Sequence, residues 1–365
     1  MGVKAHRGRG PGAAVAAAGA GRAEGMVGLP SLGSGGMAAA GNALRRVLGV
    51  LWLADALVKI SIPFGGRAAD QAYAQIMVAE TGPPGMHRLL AWETHLFAAH
   101  PFLWWLPAAA ELGIGVWLVT RPASRRALAA SACWALVVWV AGEGLGGLTA
   151  GVSSVLTGYP GAALLYAFAA AVLYPRRPPR EDAAAVAEAG IAGQWSRVAW
   201  LALWIGAAFF TALPQNGSSS VVSMLFINEQ EAPGPLRSMD SSELGWLTVG
   251  NTAILGIAVA VACLAVGFTV FLGVLPRVFL SLGALIAVAG WVAMQNLGGI
   301  LTGSATDVGT GPVLVLVAAA FWPLGPTSKR SAAQQRAAAD ARLAAAQHEA
   351  QPAAGRDPPA DPSCW

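Results

Sequence analysis

Charge is what this chain has least of. Only 12% of its 365 residues are Asp, Glu, Lys or Arg, about half the share of an ordinary soluble domain. With 55% hydrophobic residues and a mean hydropathy of +0.55, that scarcity excludes a free-standing soluble fold and indicates an integral membrane protein. Cysteine is scarce too: Cys133 and Cys263 fall in apolar runs and Cys364 in the tail, with no CxxC pair. Neither a disulfide framework nor a cysteine metal site is therefore expected. The net charge of +4 comes from arginines at the ends of apolar runs, which reads as membrane orientation and leaves nucleic acid without a basic patch to bind. No nucleophile motif, dinucleotide fingerprint or metal-ligand set is present, so nothing equips the chain to catalyse a reaction alone.

What the chain does have is a copy of itself. WVAGEGLGGLTAG, Trp139 to Gly151, returns 152 residues later as WVAMQNLGGILTG, Trp291 to Gly303. The same spacing pairs Arg45 with Arg197, Trp52 with Trp204, Gly65 with Gly217, Gly82-Pro83 with Gly234-Pro235, and Pro160 with Pro312. The expected fold is an all-α integral membrane protein of two tandem four-transmembrane-helix repeats. Bilayer-spanning helices need roughly 20 mostly apolar residues, and about eight runs qualify: 44–62, 101–119, 127–141 and 160–174, then 198–213, 250–275, 278–295 and 312–325. Four spans per copy is even, so the halves share one orientation about a parallel pseudo-two-fold axis.

The domain boundaries follow. Residues 1–43 form a Gly/Ala-rich extension expected to be disordered, or translation starts at Met26 or Met37; 44–175 is the first repeat; 176–196 is a cytoplasmic linker. Residues 197–325 are the degenerate second repeat, and 326–365 a cytoplasmic tail, partly helical or disordered. Arg45, Arg46, Arg121, Arg125, Arg126, Arg176, Arg177, Arg180, Arg197, Arg277, Lys329 and Arg330 fall on one side of such a bundle. This asymmetry places the protein in the cell membrane with both termini cytoplasmic.

The two copies differ in their charges. Asp55, Lys59, Glu111 and Glu143 of the first correspond to Ala207, Thr211, Cys263 and Gln295 of the second, so a site is sought in the first half. Asp55 and Lys59, four apart, share a helix face about 6 Å apart along the axis. An ionised side chain at mid-membrane costs roughly 2.5–3.5 kcal/mol by insertion scales and faces the bundle interior with a partner. Two readings fit Asp55, Lys59 and Glu111: a neutralised structural network with Lys59 snorkelling outward, or a site for a polar head group or proton relay. Loss of the charges in the second copy favours the latter. Glu143 is either the wall of such a site or a solvated loop acid, and the glycines around it serve close helix packing.

His87, His95 and His100, with Met77, Met86, Glu80 and Glu93, gather near the start of the second span. Imidazole and thioether suit copper, and histidine pairs hold haem. The five-residue spacing of His95 and His100, however, turns them about 140° apart on a helix, so no metal set is assigned and proton exchange or interfacial structure is the expected role. Trp52 and Trp134, near mid-span, either line a pocket for a flat ring or pack the core.

RRVLGVLWLADALVKI, ELGIGVWLV and the basic turn after it, over about 45–145, resemble the DoxX/DoxD-like four-helix membrane family. Arg46, Gly49, Lys59, Glu111, Gly113 and Gly115 are the positions that fall on its pattern, while Asp55 stands where members have a small residue. GEGLGGLTAG further resembles membrane proteins of actinobacterial type. The family includes a small subunit of a thiosulfate:quinone oxidoreductase, so the resemblance implies a membrane component that binds a quinone or a similar amphipathic molecule and acts with a redox partner subunit. In that expectation Glu111 and Asp55 exchange protons, Lys59 orients a carbonyl or anionic oxygen, Trp52 and Glu143 line the site, and His95 or His100 leads to water. The competing classes are a small-molecule or ion transporter and a membrane scaffold without a ligand.

Overall fold

The structure, a computed structural model, describes residues 34–64, 82–149, 153–176, 183–213, 222, 225–226, 229, 234–247, 251–301, 305–324, 337 and 340–341. The expectations for the extension before Ser34, for Met77 and Glu80, and for nearly all of the tail lie outside these residues. The described residues are overwhelmingly helical and form no β-sheet.

Helix α1 (Ser34–Ser61) begins ten residues before Leu44, the expected start, because MAAAGNAL is rich in the strongest helix former. It stops in a tight turn, Ile62–Phe64, at Pro63. Helix α2 (Pro84–Ala99) opens on a proline at its first position. After Pro101 follows α3 (Trp105–Thr120), then α4 (Arg125–Ala141), whose Ser124 cap accepts from the Ala127 N–H at 3.2 Å. Next come α5 (Ala162–Val172), the single turn α6 (Val186–Ala189), α7 (Trp195–Ala212), α8 (Gly234–Trp246) and α9 (Thr252–Leu272). Helix α10 (Pro276–Ala289) runs on through a π turn, Gly290–Met294, and α11 (Thr310–Ala320) follows.

Among the described residues, five stretches are long and apolar enough to cross a membrane: Gly36–Phe64, Pro101–Thr120, Trp195–Ala212, Thr252–Leu272 and Pro276–Met294. Of the eight expected spans, five reach that length and three are shorter. Helix α4 has 17 residues, and the expected fourth and eighth spans are the 11-residue helices α5 and α11, each about 16 Å long, half a hydrocarbon core. The runs expected there, 160–174 and 312–325, are themselves only 15 and 14 residues long. Gly158, Gly161 and Gly309, at φ 112, 99 and 81, break the helix there. Inside a membrane such irregular backbone is tolerated where protein covers it, and 153–156, 159–163 and 308–311 are all buried.

Helices α5 and α11 are apolar nearly all round and pack against each other at the centre, as fully enclosed helices must. Around them α1 lies on α3 and α7 on α9. The α1–α3 approach is backbone to backbone: a Cβ added to Gly49 would stand 2.9 Å from the Gly115 carbonyl oxygen. Outward faces carry Val50, Leu57, Leu106, Ile254, Ile257, Val261 and Leu285, all exposed, the surface that lipid covers.

Matching geometry recurs at the spacing read from the sequence. Leu145 and Gly146 have φ/ψ of 62/31 and 63/29, while Leu297 and Gly298 have 59/34 and 71/22. The Trp139 indole N–H donates to the Pro160 carbonyl at 2.9 Å, and the Trp291 indole N–H to the Val308 carbonyl at 2.8 Å. In these contacts Pro160 corresponds to Val308, not to Pro312. The loop before α11 is thus four residues shorter than the one before α5, and Gly161 matches Gly309.

Candidate functional site

Asp55 and Lys59 project from one face of α1, and Glu111 from α3, into the interior at 1%, 5% and 0% exposure. Lys59 does not snorkel. Its Nζ lies 3.0 Å from Glu111 Oε1 and donates to the Thr306 carbonyl at 2.6 Å. Asp55 Oδ1 accepts from the Val308 N–H at 2.8 Å. Thr306 and Val308 belong to the shortened loop before α11, so the second half closes a cluster that the sequence placed in the first half alone. The crossing is mutual: Thr211, at the place of Lys59 in the second half, accepts on Oγ1 from the Val155 N–H at 3.2 Å.

The same loop brings an acid that sequence reasoning missed. Asp307 Oδ1 accepts from the Gly309 N–H at 2.7 Å and its Oδ2 lies 3.2 Å from Thr306 Oγ1, and its charge acts on Asp55, Lys59 and Glu111. Its sequence setting, ATDVGTG, reads as an ordinary polar turn, and only folding brings it beside residues some 250 positions earlier.

Aromatic groups wall the cluster. The Trp52 indole N–H donates to Ser131 Oγ at 2.8 Å and its ring lies 4.2 Å from that of Tyr166. The Tyr166 hydroxyl stands beside Asp55 and the Trp134 indole N–H beside Glu111, both short of good hydrogen-bond geometry. Trp52 thus packs the core rather than opening onto a cavity. Trp134 does both. It forms part of the wall of an open groove of about 580 Å³ between α3 and α4, lined by Ala109, Ala110, Gly113, Ile114, Cys133 and Val137 among others. Small residues on both helices leave this space, and the indole separates it from the Lys59–Glu111 pair.

Glu143, just past the end of α4, is no solvated loop acid. Its Oε1 accepts from the Ala163 N–H at 2.8 Å, at the N-terminus of α5, and its Oε2 is shut from solvent without a hydrogen-bond partner. A Cβ on Gly161 would fall on that carboxylate oxygen, so the turn there takes only glycine. Electrostatically Glu143 belongs with Asp307, Lys59 and Asp55.

The histidines are not part of this assembly. His95 lies exposed on α2 and His100 exposed at its C-terminal cap. Among the described residues no three His, Cys, Asp or Glu gather as a metal site would require. Helix α2 instead lays Leu90 over Gly144, and one turn on, the half-buried Glu93 is pushed up to about 7 by burial. On α8, burial and then the neighbouring Asp240 push Glu243 up to about 7. Asp240 is itself raised by burial, its Oδ2 accepting from Asn296 Nδ2 at 3.3 Å.

Compared with known proteins, the chain matches no family model, no curated protein and no solved structure.

Proposed function

We propose that this protein is a DoxX-like membrane component that binds a quinone or a similar amphipathic ring molecule, drawn sideways from the bilayer into the groove between α3 and α4. The observation that carries this reading is the position of Trp134, one face on an apolar groove and its N–H beside Glu111. A flat head group stacks there, its tail among Ala109, Ala110 and Gly113, with the ion pair behind the indole. Glu111 and Asp55 exchange protons, and Lys59 orients a carbonyl or anionic oxygen once Trp134 swings aside. His95 and His100, exposed and apart, serve at most the aqueous surface. Electrons pass to a redox partner subunit.

The organisation goes with it: two tandem four-helix copies in the cell membrane, both termini cytoplasmic. Matching backbone angles at Leu145–Gly146 and Leu297–Gly298 support the duplication. The basic residues at one set of helix ends support the orientation.

The test uses protein purified from its native membrane. Solvent extraction is expected to release quinone in near-stoichiometric amount, and Glu111→Gln protein, inserted normally, is expected to retain none. Wild-type protein free of quinone, or Glu111→Gln protein that keeps it, sinks this reading.

One observation favours a second class. Half-length helices preceded by irregular buried backbone, with charges where the two halves cross, also suit a small-molecule or ion transporter. Flux into proteoliposomes that is lost on replacing Asp55 or Glu111 selects it over the quinone reading.

A further inference from the structure

Beyond the groove and whatever fills it, the buried interior holds an imbalance. Asp307 acts on Asp55, Glu111 and Glu143, and Asp55 on Glu143, with Lys59 the cation that acts on all three buried acids among the described residues. Even with the half-buried Asp307 left to its own loop, Asp55, Glu111 and the enclosed Glu143 outnumber one ammonium, and unpaired buried charge is costly. Metal ions are poor candidates, because no three acids among the described residues converge as ligands. A proton is the smallest cation that restores the balance, and Gln295 in the second half indicates where one sits.

Glu143 and Gln295 occupy equivalent places, with φ/ψ of −104/0 and −111/5, each immediately before the same left-handed turn. Gln295 is neutral at every pH. It uses one acceptor and one donor: Oε1 accepts from Thr310 Oγ1 at 3.1 Å, and Nε2 donates to the Leu156 carbonyl at 3.2 Å. A protonated carboxyl has this same inventory, an accepting oxygen and a donating O–H, whereas a carboxylate only accepts. Glu143 fills the acceptor half, Oε1 taking the Ala163 N–H, while Oε2 is enclosed without a hydrogen-bond partner, a place where a bare charge costs far more than a neutral O–H. Around it stand Asp307 from the loop before α11, Lys59 and Asp55 from α1 and the N-terminus of α5, with Leu90 and, one turn on, Glu93 of α2 above Gly144.

We propose that Glu143 is a proton-binding site, a neutral carboxylic acid at pH 7 whose Oε2 carries the proton beside Asp307 and the Asp55–Lys59–Glu111 cluster. The turn that carries it lies under Leu90 of α2.

Infrared spectroscopy of the full chain in lipid nanodiscs tests this through the carbonyl stretch of protonated buried carboxyl groups, identified by its shift in D2O. Glu143→Gln, which copies the residue already used at position 295, is expected to remove one carboxyl equivalent from that band at pH 7. The reciprocal Gln295→Glu is expected to add one. A band unchanged by Glu143→Gln overturns the proposal. So does loss of bound sodium, potassium or calcium from the Glu143→Gln protein, measured with each ion alone. Should Glu143→Gln fail to fold, Gln295→Glu decides on its own, because absence of a new band there shows that the site does not hold a carboxylic acid.

Discussion

Gly115 and Gly113 sit two residues apart on α3 and predict opposite outcomes for the same change. A Cβ on Gly115 would stand 2.8 Å from the Gly49 carbonyl oxygen and 2.8 Å from the Leu53 side chain, whereas one on Gly113 meets nothing within 4 Å. Ordinary contact begins at 3.4 Å. Gly115→Ala must therefore part α1 and α3 by about 0.6 Å, the difference of those two distances, since the listener across the gap is backbone and cannot rotate away. Overpacking of this kind costs about 1–3 kcal/mol. Glu111 is one turn from Gly115, so the same parting stretches the 3.0 Å Lys59–Glu111 contact beyond hydrogen-bond length. Gly113→Ala gains up to about 1 kcal/mol of helix propensity and only narrows the groove. Reversible unfolding in mixed micelles, with the midpoint of each variant set against wild type, measures both. Equal midpoints for the two variants would refute the close approach of α1 and α3 and the helix register that places Gly115 at it.

Lys59→Met strands Glu111 in the interior and is expected to cost about 3–5 kcal/mol, with much of the loss recovered in Lys59→Met/Glu111→Leu; the same unfolding assay reads the double-mutant cycle. Glu93 and Glu243, each raised from 4.5 to about 7, bind protons more tightly folded than unfolded. Stability should thus fall as pH rises from 4.5 through about 7, and Glu93→Gln/Glu243→Gln should flatten that slope in a pH series of melting temperatures. Asp55→Ala leaves the Val308 N–H unsatisfied and is expected to cost about 1–3 kcal/mol, whereas Asp55→Asn keeps an acceptor and most of the stability.

Much of the architecture was legible because it is periodic. Apolar runs with arginine at their ends marked the five long helices, and the repeated glycine motif marked Leu145–Gly146 and Leu297–Gly298, whose left-handed backbone agrees closely. Burial of Asp55, Lys59 and Glu111 followed from the cost of charge among apolar residues. The half-length helices stood in the sequence as short runs, 160–174 and 312–325, and were counted as spans because hydropathy is blind to backbone direction, which Gly161 and Gly309 turn just before each helix.

The partner of Asp55 was hidden for a different reason, and that reason bears on how the cluster works. Val308 contributes a backbone N–H and Thr306 a carbonyl, groups that every residue but proline possesses and that leave no mark in composition. Charges lost from the second copy therefore do not make it idle. Thr211 takes the Val155 N–H from the first half as Asp55 takes the Val308 N–H from the second, so each half clamps the other's loop with the first helix of its own bundle. One crossing is neutral and the other carries charge. If both crossings were only clamps, Thr211 shows that a neutral side chain suffices, and Asp55, Lys59 and Glu111 would be a costly way to do the same work. Their presence at the charged crossing, next to a groove open to the side and an enclosed acid at Glu143, is what a clamp alone leaves unexplained and what the proposed proton site at Glu143 would use.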